Sequence, residues 1–77
     1  MTQTQLPGGT IALTVNGEPR ETAEGTTLAA LLESLALDPR MIIVERNRAI
    51  LRDRDAYGAV ALHDGDVLEL VHFVGGG

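Results

Sequence analysis

The chain has no cysteine. That absence excludes disulfide staples, thiolate zinc sites and cysteine nucleophiles, and it leaves a small domain to be held by its core alone. No apolar run approaches the length of a membrane span, and no membrane interaction is expected. The opening Met1-Thr2-Gln3-Thr4-Gln5 carries no basic residue and no apolar stretch after it, so no signal peptide is expected. Basic charge is also scarce. Six basic residues face eleven acidic ones, a net charge of −5, which argues against nucleic acid and permits steering toward a basic protein partner. Seventy-seven residues allow one small domain.

The patterns that usually announce chemistry are thin. His63 and His72 have no partnered carboxylate pattern and read as surface or loop residues. Asp53 with Asp55, and Asp64 with Asp66, lack the ligand spacing of a calcium loop and read as turn chemistry. No metal site is expected. Gly8-Gly9 and Asn16-Gly17 lack phosphate-loop spacing. Arg46, Arg48, Arg52 and Arg54, interleaved with Asp53 and Asp55, read as solvated loop charge. Tyr57 reads as a plug over the core.

What is present is a clear succession of elements. Residues 1–10 show no periodicity and are expected to form a flexible leader. Ile11-Ala12-Leu13-Thr14-Val15 alternates strictly, which places Ile11, Leu13 and Val15 on one face of a strand. Asn16-Gly17 is a hairpin turn, since both positions accept positive φ. A polar return strand, Arg20 to Ala23, follows, with Pro19 suited to an edge. Thr26 or Thr27 caps a helix whose Leu28, Leu31, Leu32 and Leu35 form one stripe. Asp38-Pro39 is expected to end it. Each fully buried leucine contributes ~1.5–3 kcal/mol as an upper figure, so this stripe supplies much of the core.

Met41 to Glu45 is a nearly continuous apolar strand, expected to be central. Arg46-Asn47-Arg48 turns into a short strand at Ala49 to Leu51. Residues 52–58 read as an irregular connection or a single helical turn, and Ala59 to Leu62 as a brief extended return. Asp64-Gly65-Asp66 is a turn. Val67 to Val74 is the last strand, with Leu68 and Leu70 on one face and Glu69, Val71 and Phe73 on the other. Hairpin, helix crossover and further strands give an α+β fold, with a mixed sheet of four to five strands and one main helix packed on one face. This is the β-grasp arrangement. The expected domain spans 11–74.

The last strand runs directly into Gly75-Gly76-Gly77. Glycine there provides a backbone without Cβ that can thread close to another surface. It leaves the Gly77 carboxylate on an unbranched carbon at the tip of what is expected to be a flexible tail, residues 75–77. If Ile42 and Val44 face the core, then Ile43, Val71 and Phe73 share the outer face. A cluster of exposed large apolar residues is expected to be a partner-docking surface.

Three stretches carry a family resemblance: Ile43-Val44-Glu45-Arg46-Asn47, Asp64-Gly65-Asp66-Val67, and above all Val71-His72-Phe73-Val74-Gly75-Gly76-Gly77. Over about residues 11–77 the chain resembles the ThiS family, the ubiquitin-like sulfur carriers of thiamine biosynthesis. The resemblance implies a carrier without catalytic residues, bound to no cofactor. An E1-like activating enzyme of the ThiF type would use ATP to adenylate Gly77, and a sulfur donor protein would convert the adenylate to a thiocarboxylate. Thiazole synthase, of the ThiG type, would take the sulfur, with Gly75 and Gly76 as the tether. The implied location is cytoplasmic. Other readings stand beside this one: a carrier for molybdopterin or cysteine biosynthesis, a ubiquitin-like protein modifier, and an interaction module with an inert tail.

Overall fold

The computed structural model describes residues 9–73. Strand β1 (Thr10–Val15) and strand β2 (Glu18–Ala23) form an antiparallel hairpin in which Val15 faces Glu18 across the turn. Asn16 and Gly17 both have positive φ, 51° and 82°, the geometry of the type I′ turn that suits strand twist. β2 therefore begins two residues before its expected start at Arg20. The alternation requires this: a two-residue loop after Val15 puts Glu18 in register at once. Pro19 sits opposite Thr14 on an edge strand, where its missing N–H leaves no gap in the ladder.

Helix α1 (Leu28–Ser34) crosses from β2 to the third strand. Thr27 is its N-cap, and the hydroxyl accepts from the Ala30 N–H at 3.1 Å. Thr26 instead donates its hydroxyl to the Ala23 carbonyl at 2.7 Å. The helix is shorter than expected. It stops before Asp38-Pro39 because Ala36 adopts φ 58°. There the Ala36 N–H bonds to the Glu33 carbonyl and the Leu37 N–H to that of Leu32. That pair of bonds is a Schellman closure, usually made with glycine at the left-handed position. Asp38-Pro39 starts a 3₁₀ turn instead (Pro39–Met41), with the Asp38 carboxylate accepting from the Arg40 N–H.

Strand β3 (Ile42–Arg46) leads through a second tight turn to β4 (Ala49–Leu51). The turn residues Asn47 and Arg48 have φ 51° and 75°, and Arg46 pairs with Ala49. A 3₁₀ segment, Arg54–Ala59, follows. The extended return expected at Ala59 to Leu62 is reduced to a single bridge, Ala61 to Thr27. Around that bridge, the Leu28 N–H bonds to Val60 and the Leu62 N–H to Thr26. This loop thus satisfies one helix donor, the Leu28 N–H, that has no partner within the helix. Strand β5 (Val67–His72) closes the fold.

The strand order is β2-β1-β5-β3-β4, with β5 parallel to β1 and antiparallel to β3. This is a five-stranded mixed sheet with one main helix on one face, the expected β-grasp arrangement. Leu28, Leu31 and Leu32 of α1 pack onto Ile11, Leu13, Ile42, Val44, Leu68 and Leu70. Leu35 is only partly buried, since the helix has ended there. β3 has neighbours on both sides, as expected, but its apolar run is buried on one face only: Ile42 and Val44 are buried, while Ile43 is 41% exposed.

Candidate functional site: the central strand and the outer sheet face

β5 is the last of the described strands, and the fold fixes it from both sides. Where its parallel ladder with β1 runs out, the Asn16 side chain replaces a strand partner. Its amide donates to the Leu70 carbonyl at 3.2 Å, and its oxygen accepts from the Leu70 N–H at 2.7 Å. On the other side β3 pairs with β5 from Arg46↔Leu68 to Ile42↔His72. Beyond the strand, the Phe73 N–H still donates to the Met41 carbonyl at 3.1 Å. Gly75, Gly76 and Gly77, the expected tether and modification site, lie outside the described residues.

The start of β5 is locked by a polar cluster, although its residues look in the sequence like turn and loop charge. Asp66 is buried. It accepts from Arg46 Nε at 3.0 Å, from the Asn47 amide at 3.0 Å and from the His63 N–H at 2.8 Å. The Arg46 guanidinium also reaches the Ala61 carbonyl and His63 Nδ1. Burial alone would raise the Asp66 carboxyl. The bonds from His63, Asn47 and Arg46, together with the Arg46 charge, outweigh it and hold the group below its ordinary range. Asp64 accepts from the Ala12 N–H at 2.7 Å. Arg54 donates to the Pro39 and Ile42 carbonyls, so it too is a structural side chain and not solvated loop charge. Tyr57 is the core plug expected, 2% exposed, with its hydroxyl donating to the Leu51 carbonyl at 2.8 Å. Among the described residues, no three His, Asp or Glu side chains gather as a metal would require.

The face of the sheet opposite α1 is different in kind. Ile43 and Val71 lie directly across from one another and are 41% and 53% exposed. Phe73, expected beside them, is half-buried and lies just past the end of β5. Three residues beyond the expected docking set join this face: Ile50, Glu45 and Glu69. Ile50 is 45% exposed and pairs with Glu45, which in turn faces Glu69. The alternation along each strand places these side chains outward. Only the register between β3 and β5, a non-local fact, makes the two glutamates opposite neighbours.

This geometry has close counterparts. The family model described as "ThiS family" matches residues 13–77. A sulfur carrier protein ThiS from Bacillus subtilis is 44% identical over 66 residues, covering 84% of this chain and 98% of that protein. A thiazole synthase from Magnetococcus marinus is 49% identical over 63 residues, covering 82% of this chain. The chain spans only 19% of that synthase's length. The crystal structure of the thiamine biosynthesis protein ThiS from Geobacter metallireducens superposes with a TM-score of 0.73 at 36% identity, covering 87% of this chain and 100% of that one.

Proposed function

The chain belongs to the ThiS family, and from that premise we propose that it carries sulfur for thiamine biosynthesis as a thiocarboxylate on Gly77. The observation that supports this reading is the pairing of a ThiS match reaching residue 77 with a central strand β5 that runs toward those glycines. The protein is a carrier and not a catalyst. The chemistry is supplied by the proteins that act on it. A carboxylate is ionised at neutral pH, with a pKa of ~3.3–3.7 at a chain terminus, and is a poor electrophile. An E1-like enzyme would transfer AMP from ATP to the carboxylate, releasing pyrophosphate. Sulfur from a donor protein would displace the AMP, and thiazole synthase would consume the thiocarboxylate. The location that goes with ATP-dependent activation is the cytoplasm.

Composition favours a carrier over a protein modifier that builds chains on itself. All six basic residues are arginines, and the chain contains no lysine. An activated Gly77 therefore meets no lysine amine in its own chain or in a second copy. Gly75 and Gly76 serve as the tether, and Ile43, Val71 and Phe73 as part of the docking face.

Gly76→Val tests the tether. A β-branched side chain cannot pass where a glycine threads. The variant should fold with an unchanged melting temperature and form no thiocarboxylate with the activating enzyme, ATP and a sulfur source. Normal thiocarboxylate formation would remove the tether argument. Deleting Gly77 should likewise abolish sulfur transfer, whereas a module with an inert tail would be unaffected. A higher-mass conjugate on a denaturing gel would point instead to a modifier.

A further inference from the structure

Two carboxylates stand directly opposite each other on the outer sheet face. Glu45 of β3 pairs in register with Glu69 of β5, an arrangement that places Cβ atoms ~4.5–5.5 Å apart and is destabilising for like charges. Among the described residues, neither side chain makes an ion pair or a hydrogen bond. Their strand neighbours explain why. The alternation puts Glu21 of β2 on the same face and places Arg20 and Arg46 on the other, where Arg46 is committed to Asp66 at 2.9 Å. Arg48, in the turn between β3 and β4, makes no side-chain ion pair or hydrogen bond among the described residues, and just past β4 comes Arg52. It lines a shallow pocket of about 350 Å³ with Ile43, Ile50, Leu51 and Arg54 and bonds to neither glutamate.

The glutamate pair is bordered by apolar side chains. Ile50 extends the row beyond Glu45, and the Ile43–Val71 pair lies two residues along both strands. A fixed pair of acids framed by exposed aliphatics matches one kind of counterpart: a basic side chain whose stem lies on the aliphatics and whose head sits between the carboxylates. We propose that this face receives the activating enzyme through an arginine or lysine placed between Glu45 and Glu69. The charge complementarity fits that partner in particular. That partner has to receive an ionised C-terminus beside a nucleoside triphosphate, so cationic side chains are expected around its entrance, where an acidic pair on the incoming chain complements them. The carrier's net charge of −5 steers the encounter in the same sense. This assignment rests on the carrier reading and adds the chemistry of the contact.

The test is the double variant Glu45→Gln, Glu69→Gln, assayed for equilibrium binding to the purified E1-like activating enzyme, for its salt dependence and for thermal unfolding. Removing two like charges from a surface leaves folding intact. The affinity should fall about tenfold or more, the salt dependence of binding should flatten, and the melting temperature should stay the same or rise. Unchanged affinity would overturn the proposal, whatever the melting temperature does. A loss of affinity together with a lowered melting temperature would assign the pair a structural role and also overturn it. So would a wild-type chain that self-associates through this face and becomes monomeric in the double variant. Thiocarboxylate formation at saturating enzyme separates the two levels. If the wild type is never converted, the carrier reading has failed. If it is converted and the variant binds normally, only the present assignment has failed.

Discussion

The two faces of one sheet obey opposite rules. On the face toward α1, every large side chain named in the core is 8% exposed or less. The buried acid there, Asp66, has three hydrogen-bond donors. On the outer face Ile43, Ile50 and Val71 are each more than 40% exposed, and Glu45 opposes Glu69 with no ion pair to either among the described residues. Local propensity does not distinguish the faces, because the same strands β3 and β5 supply both. The inner face is organised for the folded chain itself, and the outer face carries features that contribute little to folding. A carrier that is not itself a catalyst must act through surfaces of that second kind.

The sharpest way to break this contrast is to truncate one aliphatic side chain on each face. Leu28 is fully buried, and Leu28→Ala should cost about 2–5 kcal/mol. That is a large part of the stability of a small domain. Ile43→Ala should cost about 1 kcal/mol or less while weakening binding to the activating enzyme. Denaturant unfolding of both variants measures the difference. Equal losses would mean that the outer face is as much a part of the core as the inner one.

A smaller effect is expected at the buried acid. Asp66→Asn removes the charge that partners Arg46 and should cost about 2–3 kcal/mol at neutral pH, less than for a fully buried pair because Arg46 retains some exposure. The pH dependence has a definite sign. The folded Asp66 carboxyl is held below its unfolded value of ~3.9. Its stabilisation is therefore fully present above that value and is lost as pH falls through the lower, folded one. Between about pH 5 and pH 2 the wild type should lose stability more steeply than Asp66→Asn, as followed by melting temperature. Parallel curves would show that Asp66 is not the group responsible.

The smallest expected effect is a gain. Ala36 sits at φ 58°, where a Cβ is unfavourable. Ala36→Gly should stabilise the domain by ~0.5–1 kcal/mol, after allowing for glycine's greater unfolded-state freedom. No gain would show that the Schellman closure is not strained by alanine.

That position also marks the limit of what could be read from residues alone. The strand alternation of Ile11, Leu13 and Val15, the Asn16-Gly17 turn and the leucine stripe of α1 were all legible, because each is a local pattern with a local cause. The end of α1 was not, since the left-handed residue that stops it is an alanine and carries no signal. The turn at Asn47-Arg48 has the same geometry as Asn16-Gly17, with arginine in the place of glycine. The Ile43–Val71 surface followed from alternation. Three contacts could not be read in that way: the Arg46–Asp66 lock, the Asn16 bridge to Leu70 and the Glu45–Glu69 opposition. Each joins residues about twenty or more positions apart, so each depends on strand register that only the assembled sheet defines.

The central claim is that this domain exists to present an activatable carboxylate. It is tested most directly by intact-protein mass spectrometry after incubation with the activating enzyme, ATP and a sulfur source. The account predicts a mass gain matching replacement of one oxygen by sulfur, localised to Gly77 and lost when thiazole synthase and its substrates are added. An unchanged mass, with an activating enzyme that is competent on another carrier, would contradict it.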